Sequence, residues 1–90
     1  MSKYANLLGK SQTFTINGID FELKPRTLKD FDIIMDLSKE ETQKEAMKKL
    51  VFETLKDAGM IEEEINQISL ENFKEISEAI VKVNGLTKNG

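Results

Sequence analysis

The clearest pattern in the chain is an alternation of apolar and polar residues over positions 14–23, interrupted by a single Asn-Gly pair. An Asn-Gly pair between two such runs is the strongest short signal for a two-residue β-hairpin, because both turn residues must adopt positive φ. Asn17 and Gly18 therefore predict a type I′ turn. This turn places four large apolar residues on one face of the hairpin: Ile16 paired with Ile19, and Phe14 with Phe21.

After the hairpin, the apolar residues recur at the three- and four-residue spacing of amphipathic helices. Pro25 ends the second strand, since proline cannot donate to a strand ladder. Thr27 is predicted to cap a first helix that ends near Ser38, with Asp30 in its first turn. The apolar positions of this helix are Leu28, Phe31, Ile34, Met35 and Leu37.

A second helix is predicted from about residue 40 to residue 58. Phe52 lies off the centre of its apolar stripe, which indicates contact on a second side. Gly59 follows as the left-handed residue of a Schellman cap, with Met60 packing back on the helix. The stripe consists of Ala46, Met47, Leu50, Val51, Leu55 and Ala58.

Residues 61–68 have helical apolar spacing over too short a span to separate a helical turn from an ordered connection. Ser69 is predicted to cap the last helix, and Gly85 to end it. The residues predicted to be buried in this helix are Leu70, Phe73, Ile76, Ile80, Val81 and Val83.

These elements predict a small α+β domain over residues 13–86, with an N-terminal two-stranded β-hairpin packed on a small bundle of three to four helices. Residues 1–12 are predicted to be a flexible N-terminal segment and residues 87–90 a loose tail. A lone hairpin has two unpaired edges, which can accept a strand from another copy or from a partner. The alternative is that the edges are exposed or covered by the N-terminal segment.

The chain has no cysteine and no histidine, and its net charge is −3. Zinc sites built from these residues, a thiol nucleophile and a Ser-His-Asp triad are therefore excluded. The run Glu62-Glu63-Glu64 lacks the spacing of a calcium loop, and no glycine-rich phosphate loop occurs. The residues predict no catalytic, metal or cofactor site and no nucleic-acid partner.

No apolar run is long enough to span a bilayer, and no apolar signal region follows Lys3. The chain is therefore expected to stay in the cytoplasm, with no membrane partner.

The order of the elements resembles that of the tail assembly chaperones of long-tailed bacteriophages, over about residues 12–86. The resemblance rests on the strand-turn-strand at 14–23, the helix start Thr27-Leu28-Lys29-Asp30, and two amphipathic helices that end near Asn84-Gly85-Leu86. It implies a non-enzymatic protein that binds the tape measure protein and recruits tail tube subunits during tail morphogenesis. Such proteins act in the infected host's cytoplasm, are absent from the mature virion, and are expected to self-associate.

A chaperone of this type needs exposed apolar surface for its partner. The residues predicted to bind the partner protein are Leu7, Leu8, Phe52, Met60 and Ile61. The alternative function is a small acidic regulatory or inhibitor protein, similar to an antitoxin, that binds a basic protein. A hydrolase or transferase is disfavoured, because the chain lacks histidine, cysteine and a phosphate loop.

Overall fold

The computed structural model describes residues 3–86, which form a β-hairpin followed by four α-helices. The predicted α+β architecture is confirmed. The predicted loose tail at 87–90 and the first two residues of the N-terminal segment lie outside the described residues. The elements are a 3-10 turn at Ala5–Leu7, β1 at Gln12–Ile16, β2 at Ile19–Leu23, a 3-10 turn at Leu28–Asp30, α1 at Phe31–Leu37, α2 at Gln43–Asp57, α3 at Glu62–Asn66 and α4 at Leu70–Val83.

The hairpin has the predicted register, with antiparallel strands and Ile16 opposite Ile19 next to the turn. Asn17 has φ 51° and Gly18 has φ 79°, the pair of positive values that a type I′ turn requires. Ile16 is buried, but Ile19 remains 57% exposed. The helices therefore cover only part of the apolar face.

The hairpin lies on the two longest helices, because an isolated two-stranded ribbon cannot bury its apolar face by itself. β1 contacts α4, and β2 contacts α2. The hairpin, α2 and α4 share one core, in which Leu23 is fully buried. The other buried members of the core cluster are Ile16, Leu50, Val51, Leu55, Ile65, Ile76, Ala79, Ile80 and Val83.

Helix α2 begins at Gln43, about three residues later than predicted, because residues 38–42 complete the end of α1. The Ser38 hydroxyl donates to the Met35 carbonyl at 2.7 Å, and the Thr42 hydroxyl to the Asp36 carbonyl at 2.8 Å. Carbonyls at a helix C-terminus have no partner within the helix. Ser38 and Thr42 therefore cap the C-terminus of α1, and α2 begins only after them.

Both predicted glycine caps are Schellman motifs. Gly59 and Gly85 have φ of 106° and 68°. The N–H of Met60 donates to the Leu55 carbonyl at 3.1 Å, which is the six-to-one hydrogen bond of the motif. The N–H of the residue after Gly85 makes the equivalent bond near the end of α4, at 3.0 Å.

The face of α1 differs from the predicted stripe. Thr27 occupies the residue before a 3-10 turn, and its side chain makes no capping hydrogen bond. The 3-10 turn has three residues per turn rather than 3.6, so it shifts the phase of the apolar positions that follow. Ile33, Ile34 and Leu37 pack on the core, whereas Leu28, Phe31 and Met35 are exposed.

The segment at 61–68 contains the short helix α3, so it is a helical turn and not an irregular connection. Glu64 accepts a hydrogen bond from the Ile61 N–H at 3.1 Å at the start of α3. Ile65 is buried in the core cluster. The predicted cap of α4 is confirmed, because Ser69 Oγ accepts a hydrogen bond from the Asn72 N–H at 3.2 Å.

Replacing Gly18 with valine is expected to lower the free energy of unfolding by about 2 kcal/mol, because a β-branched residue is strained at positive φ. No atom lies within 4 Å of the position a Cβ would take, so the cost is one of backbone conformation rather than of a clash. Gly18→Asn is the matched control and should cost less, since asparagine tolerates this region. Equal losses in urea denaturation for the two variants would contradict this reason.

Candidate functional site

An open groove of about 940 Å³ lies between α2 and α4, with further residues from α1 and α3 along its walls. Its lining is mainly apolar and comes from all four helices and from the connections that precede α2 and follow α3. The apolar lining residues are Leu37, Met47, Val51, Phe52, Ile65, Ile68, Leu70, Phe73 and Val81. The polar lining residues are Glu40, Gln43, Lys44, Lys48 and Asn66.

The groove has the length of a short helical segment. Along α2 it extends from Gln43 to Phe52. At a rise of 1.5 Å per residue this is about 13 Å, which equals two to three turns of a second helix. An apolar groove of this kind is the surface into which an amphipathic helix lays its apolar face.

The polar rim of the groove is basic, although the whole chain is mildly acidic. Lys44 and Lys48 lie one turn apart on α2, and Glu40 lies in the connection between α1 and α2. None of the three forms an ion pair within residues 3–86. A partner segment with acidic residues beside its apolar stripe would complement this rim.

Leu70 was predicted to be buried, and that prediction is wrong. It is the first residue of α4 and is 85% exposed, at the edge of the groove. Helical spacing places it on the side of Phe73 and Val81, which faces the groove, and about 120° around the helix from the buried Ile76. The buried part of α4 begins at Ile76, while Phe73 is half-buried in the groove.

Of the five residues predicted to bind a partner, only Phe52 lines the groove. Its ring is half-buried, and Lys56 Nζ lies 5.7 Å from the ring centroid. Met60 packs partly buried against the core, while Leu7, Leu8 and Ile61 are exposed. The structure therefore does not bring the five together in one site. The other groove residues were missed as a site because each alone is typical of a helix stripe.

A second exposed apolar surface, the α1 strip, consists of Leu28, Phe31 and Met35. The spacing of three and four residues places them on one side of the chain, although the first belongs to the 3-10 turn. None of the three residues lines the groove. The strip is the natural competitor of the groove for an apolar partner.

A polar cluster that the sequence did not reveal centres on Arg26, whose side chain is only 6% exposed. The guanidinium bonds Asp30 at 3.3 Å and also bonds Asp57, at the end of α2. The main-chain N–H of Arg26 donates to Asn84 Oδ1 at 2.6 Å, next to the end of α4. The cluster therefore ties the segment after the hairpin to the ends of both long helices. Each bond is internal, which makes the cluster structural.

Within residues 3–86, no three histidine, cysteine, aspartate or glutamate side chains group closely enough to hold a metal ion. No helix in the same part of the chain is both long and apolar enough to cross a membrane.

Comparisons of the chain with protein-family models, with curated proteins and with solved structures gave no match.

Proposed function

We propose that this chain is a non-enzymatic tail assembly chaperone of a long-tailed bacteriophage. It holds an amphipathic helical segment of the tape measure protein in the groove between α2 and α4, and it recruits tail tube subunits. Several copies act along one tape measure protein in the cytoplasm of the infected host, and none remains in the mature virion.

The groove is the single observation that supports this proposal most. It is open, apolar and about 13 Å long, which suits two to three turns of a bound helix. Methionine and phenylalanine in its lining adapt to helices of different sequence, because their side chains fill irregular gaps and offer large contact area. The order of elements, with one hairpin before a helical bundle, adds support, since the resemblance rests on that order.

The charge of the rim favours this proposal over the acidic-inhibitor alternative. An inhibitor of a basic protein uses acidic groups at its contact surface. The groove instead carries Lys44 and Lys48 against Glu40. The exposed carboxylates of Glu62, Glu63 and Glu64 are consecutive on a short helix and so point in different directions.

Co-expression with the tape measure and tail tube proteins of the same phage genome tests the proposal. The expected result is a soluble complex that co-purifies with the chain, whereas the tape measure protein alone precipitates. A gene located between those for the tail tube and tape measure proteins would add support. A tape measure protein that is equally insoluble with and without the chain would contradict the proposal.

Replacing Leu70 with glutamate is expected to weaken binding of the tape measure segment about tenfold or more, because a charge then lies at the groove edge beside the apolar contact. The fold should be unaffected, since glutamate suits the first turn of a helix. Leu28→Glu is the matched comparison: it has the same exposure, the same place at the start of a helical segment, and a position in the α1 strip. Loss of binding in Leu28→Glu alone would move the site to that strip.

A further inference from the structure

The free edge of β1 carries no charge, whereas the free edge of β2 is acidic. In a two-residue hairpin, the residue pair beside the turn is hydrogen-bonded. Hydrogen-bonded and non-hydrogen-bonded pairs then alternate along the strands, and residues of the non-hydrogen-bonded pairs direct their main-chain groups outward. The register therefore directs the N–H and C=O groups of Thr13 and Thr15 outward from β1. The corresponding residues on β2 are Asp20 and Glu22.

The outward main-chain groups of β1 are unpaired within residues 3–86. The sheet has two strands, and neither Thr13 nor Thr15 makes a main-chain hydrogen bond beyond it. Natural proteins usually protect such an edge with a charged residue, a proline or a bulge. The segment from Ser11 to Ile16 contains none of these.

A trough of about 590 Å³ runs beside this edge, between β1 and α4. Phe14, Thr15 and Ile16 form its wall on the strand side. Helix α4 forms the other side with the small residues Ser77 and Ala79, with Val81, and with the charged residues Glu75, Glu78 and Lys82. A strand added to β1 would lie along this trough. Its side chains on the core face would point toward α4.

We propose that β1 pairs antiparallel with β1 of a second copy, which joins two hairpins into a four-stranded sheet around a two-fold axis. The register follows from the outward groups: Thr13 of each copy lies opposite Thr15 of the other, which makes four main-chain hydrogen bonds. Phe14 then meets Phe14 of the second copy at the axis, in a non-hydrogen-bonded pair whose side chains are close together.

The outward groups of β1 are complementary to themselves about a two-fold axis, which suits a second copy of the chain, and charge selects β1 rather than β2. Two β1 strands can pair without repulsion between their own side chains, since none of these is charged. Two β2 strands would bring Asp20 and Glu22 of one copy against those of the other, and like charges directly opposite each other destabilise a sheet. This inference concerns a different surface from the groove and does not depend on the proposed function.

Replacing Thr13 with proline provides the first test, with sedimentation velocity on the 90-residue chain as the measurement. The wild-type chain is expected to reach twice the mass of one chain below about 1 mM. The Thr13→Pro variant should sediment with the mass of one chain. Proline has no N–H to donate outward, and its ring keeps the second β1 strand at a distance. Glu22→Pro is the matched control: it is the cross-strand partner of Thr13, so it disturbs the hairpin equally but should leave the dimer intact.

A single cysteine provides the second test, which does not require a proline variant to fold. The chain has no cysteine of its own, so Phe14→Cys introduces the only thiol. Copper-catalysed air oxidation should give a disulfide-linked dimer at low protein concentration. Phe21→Cys, on the neighbouring strand and equally half-buried, should not.

Three outcomes would overturn the proposal. The first is a wild-type chain that remains a monomer up to about 1 mM, which would leave the edge to an extended segment of another protein. The second is a dimer that Thr13→Pro and Glu22→Pro affect equally. The third is cross-linking that is as fast for Phe21→Cys as for Phe14→Cys.

Discussion

Replacing Leu50 with alanine is expected to lower the free energy of unfolding by about 3 kcal/mol, because it removes a fully buried side chain from the middle of α2. Alanine is the strongest helix former, so the loss reports the cavity and the lost apolar contact rather than a weakened helix. A domain of this size has a total stability of about 5–13 kcal/mol. The variant should therefore lose a large part of it.

Urea denaturation measures this change. The slope of the free energy of unfolding against urea concentration (the m value) should equal that of the wild-type chain, as expected when unfolding remains a single transition. Leu28→Ala is the matched control, since the same atoms are removed from a side chain that is 84% exposed. It should change stability by less than about 0.5 kcal/mol. A loss below about 1 kcal/mol for Leu50→Ala would mean that α2 is not held by the core described above.

Replacing Arg26 with alanine is expected to cost about 3 kcal/mol, because it leaves the shielded carboxylate of Asp30 without its cation. The aliphatic part of the arginine side chain is also lost from a buried position. Asp57→Asn should cost less than about 1 kcal/mol, because Asp57 is half exposed and Arg26 keeps Asp30 as its partner. Arg26→Lys should fall between the two, since lysine keeps the charge but cannot bond both carboxylates with a planar fork.

The same denaturation experiment orders these variants, and Lys29→Ala, which removes an exposed cation, serves as the control. A cost for Asp57→Asn equal to that for Arg26→Ala would contradict the assignment of Arg26 as the centre of the cluster. Such a result would place the stabilisation in the contact between the hairpin segment and α2 alone.

The features that sequence predicted well are those that local physics decides. The Asn17-Gly18 turn and the two glycine caps depend on backbone conformations that few residues adopt. The alternation in the strands then determines the register, because a shift by one residue would exchange the two faces of the hairpin. These features need no knowledge of the rest of the fold.

The features that sequence missed depend on contacts between distant segments. The start of α2 was predicted too early because its first polar residues cap α1 instead. Leu70 has helical spacing but no neighbouring element to cover it. Arg26 gives no local signal of burial, since both its carboxylate at Asp57 and its amide partner at Asn84 come from elsewhere in the chain.

The groove belongs to the same class of feature. Its walls combine residues of α1, α2, α3 and α4, and each of these residues alone is compatible with an ordinary core position. Sequence did indicate that Phe52 contacts something on a second side of α2. The direction of that contact, and the basic rim beside it, follow only from the packing of the helices.

An NMR titration of the isotopically labelled chain with overlapping segments of the tape measure protein tests the groove most directly. The expected result is that one or more helical segments shift the signals of Met47, Phe52 and Phe73, and leave those of the α1 strip unchanged. Leu70→Glu should weaken these shifts about tenfold. Shifts confined to the α1 strip or to the hairpin, or no shift with any segment, would contradict the assignment of the groove as the binding site.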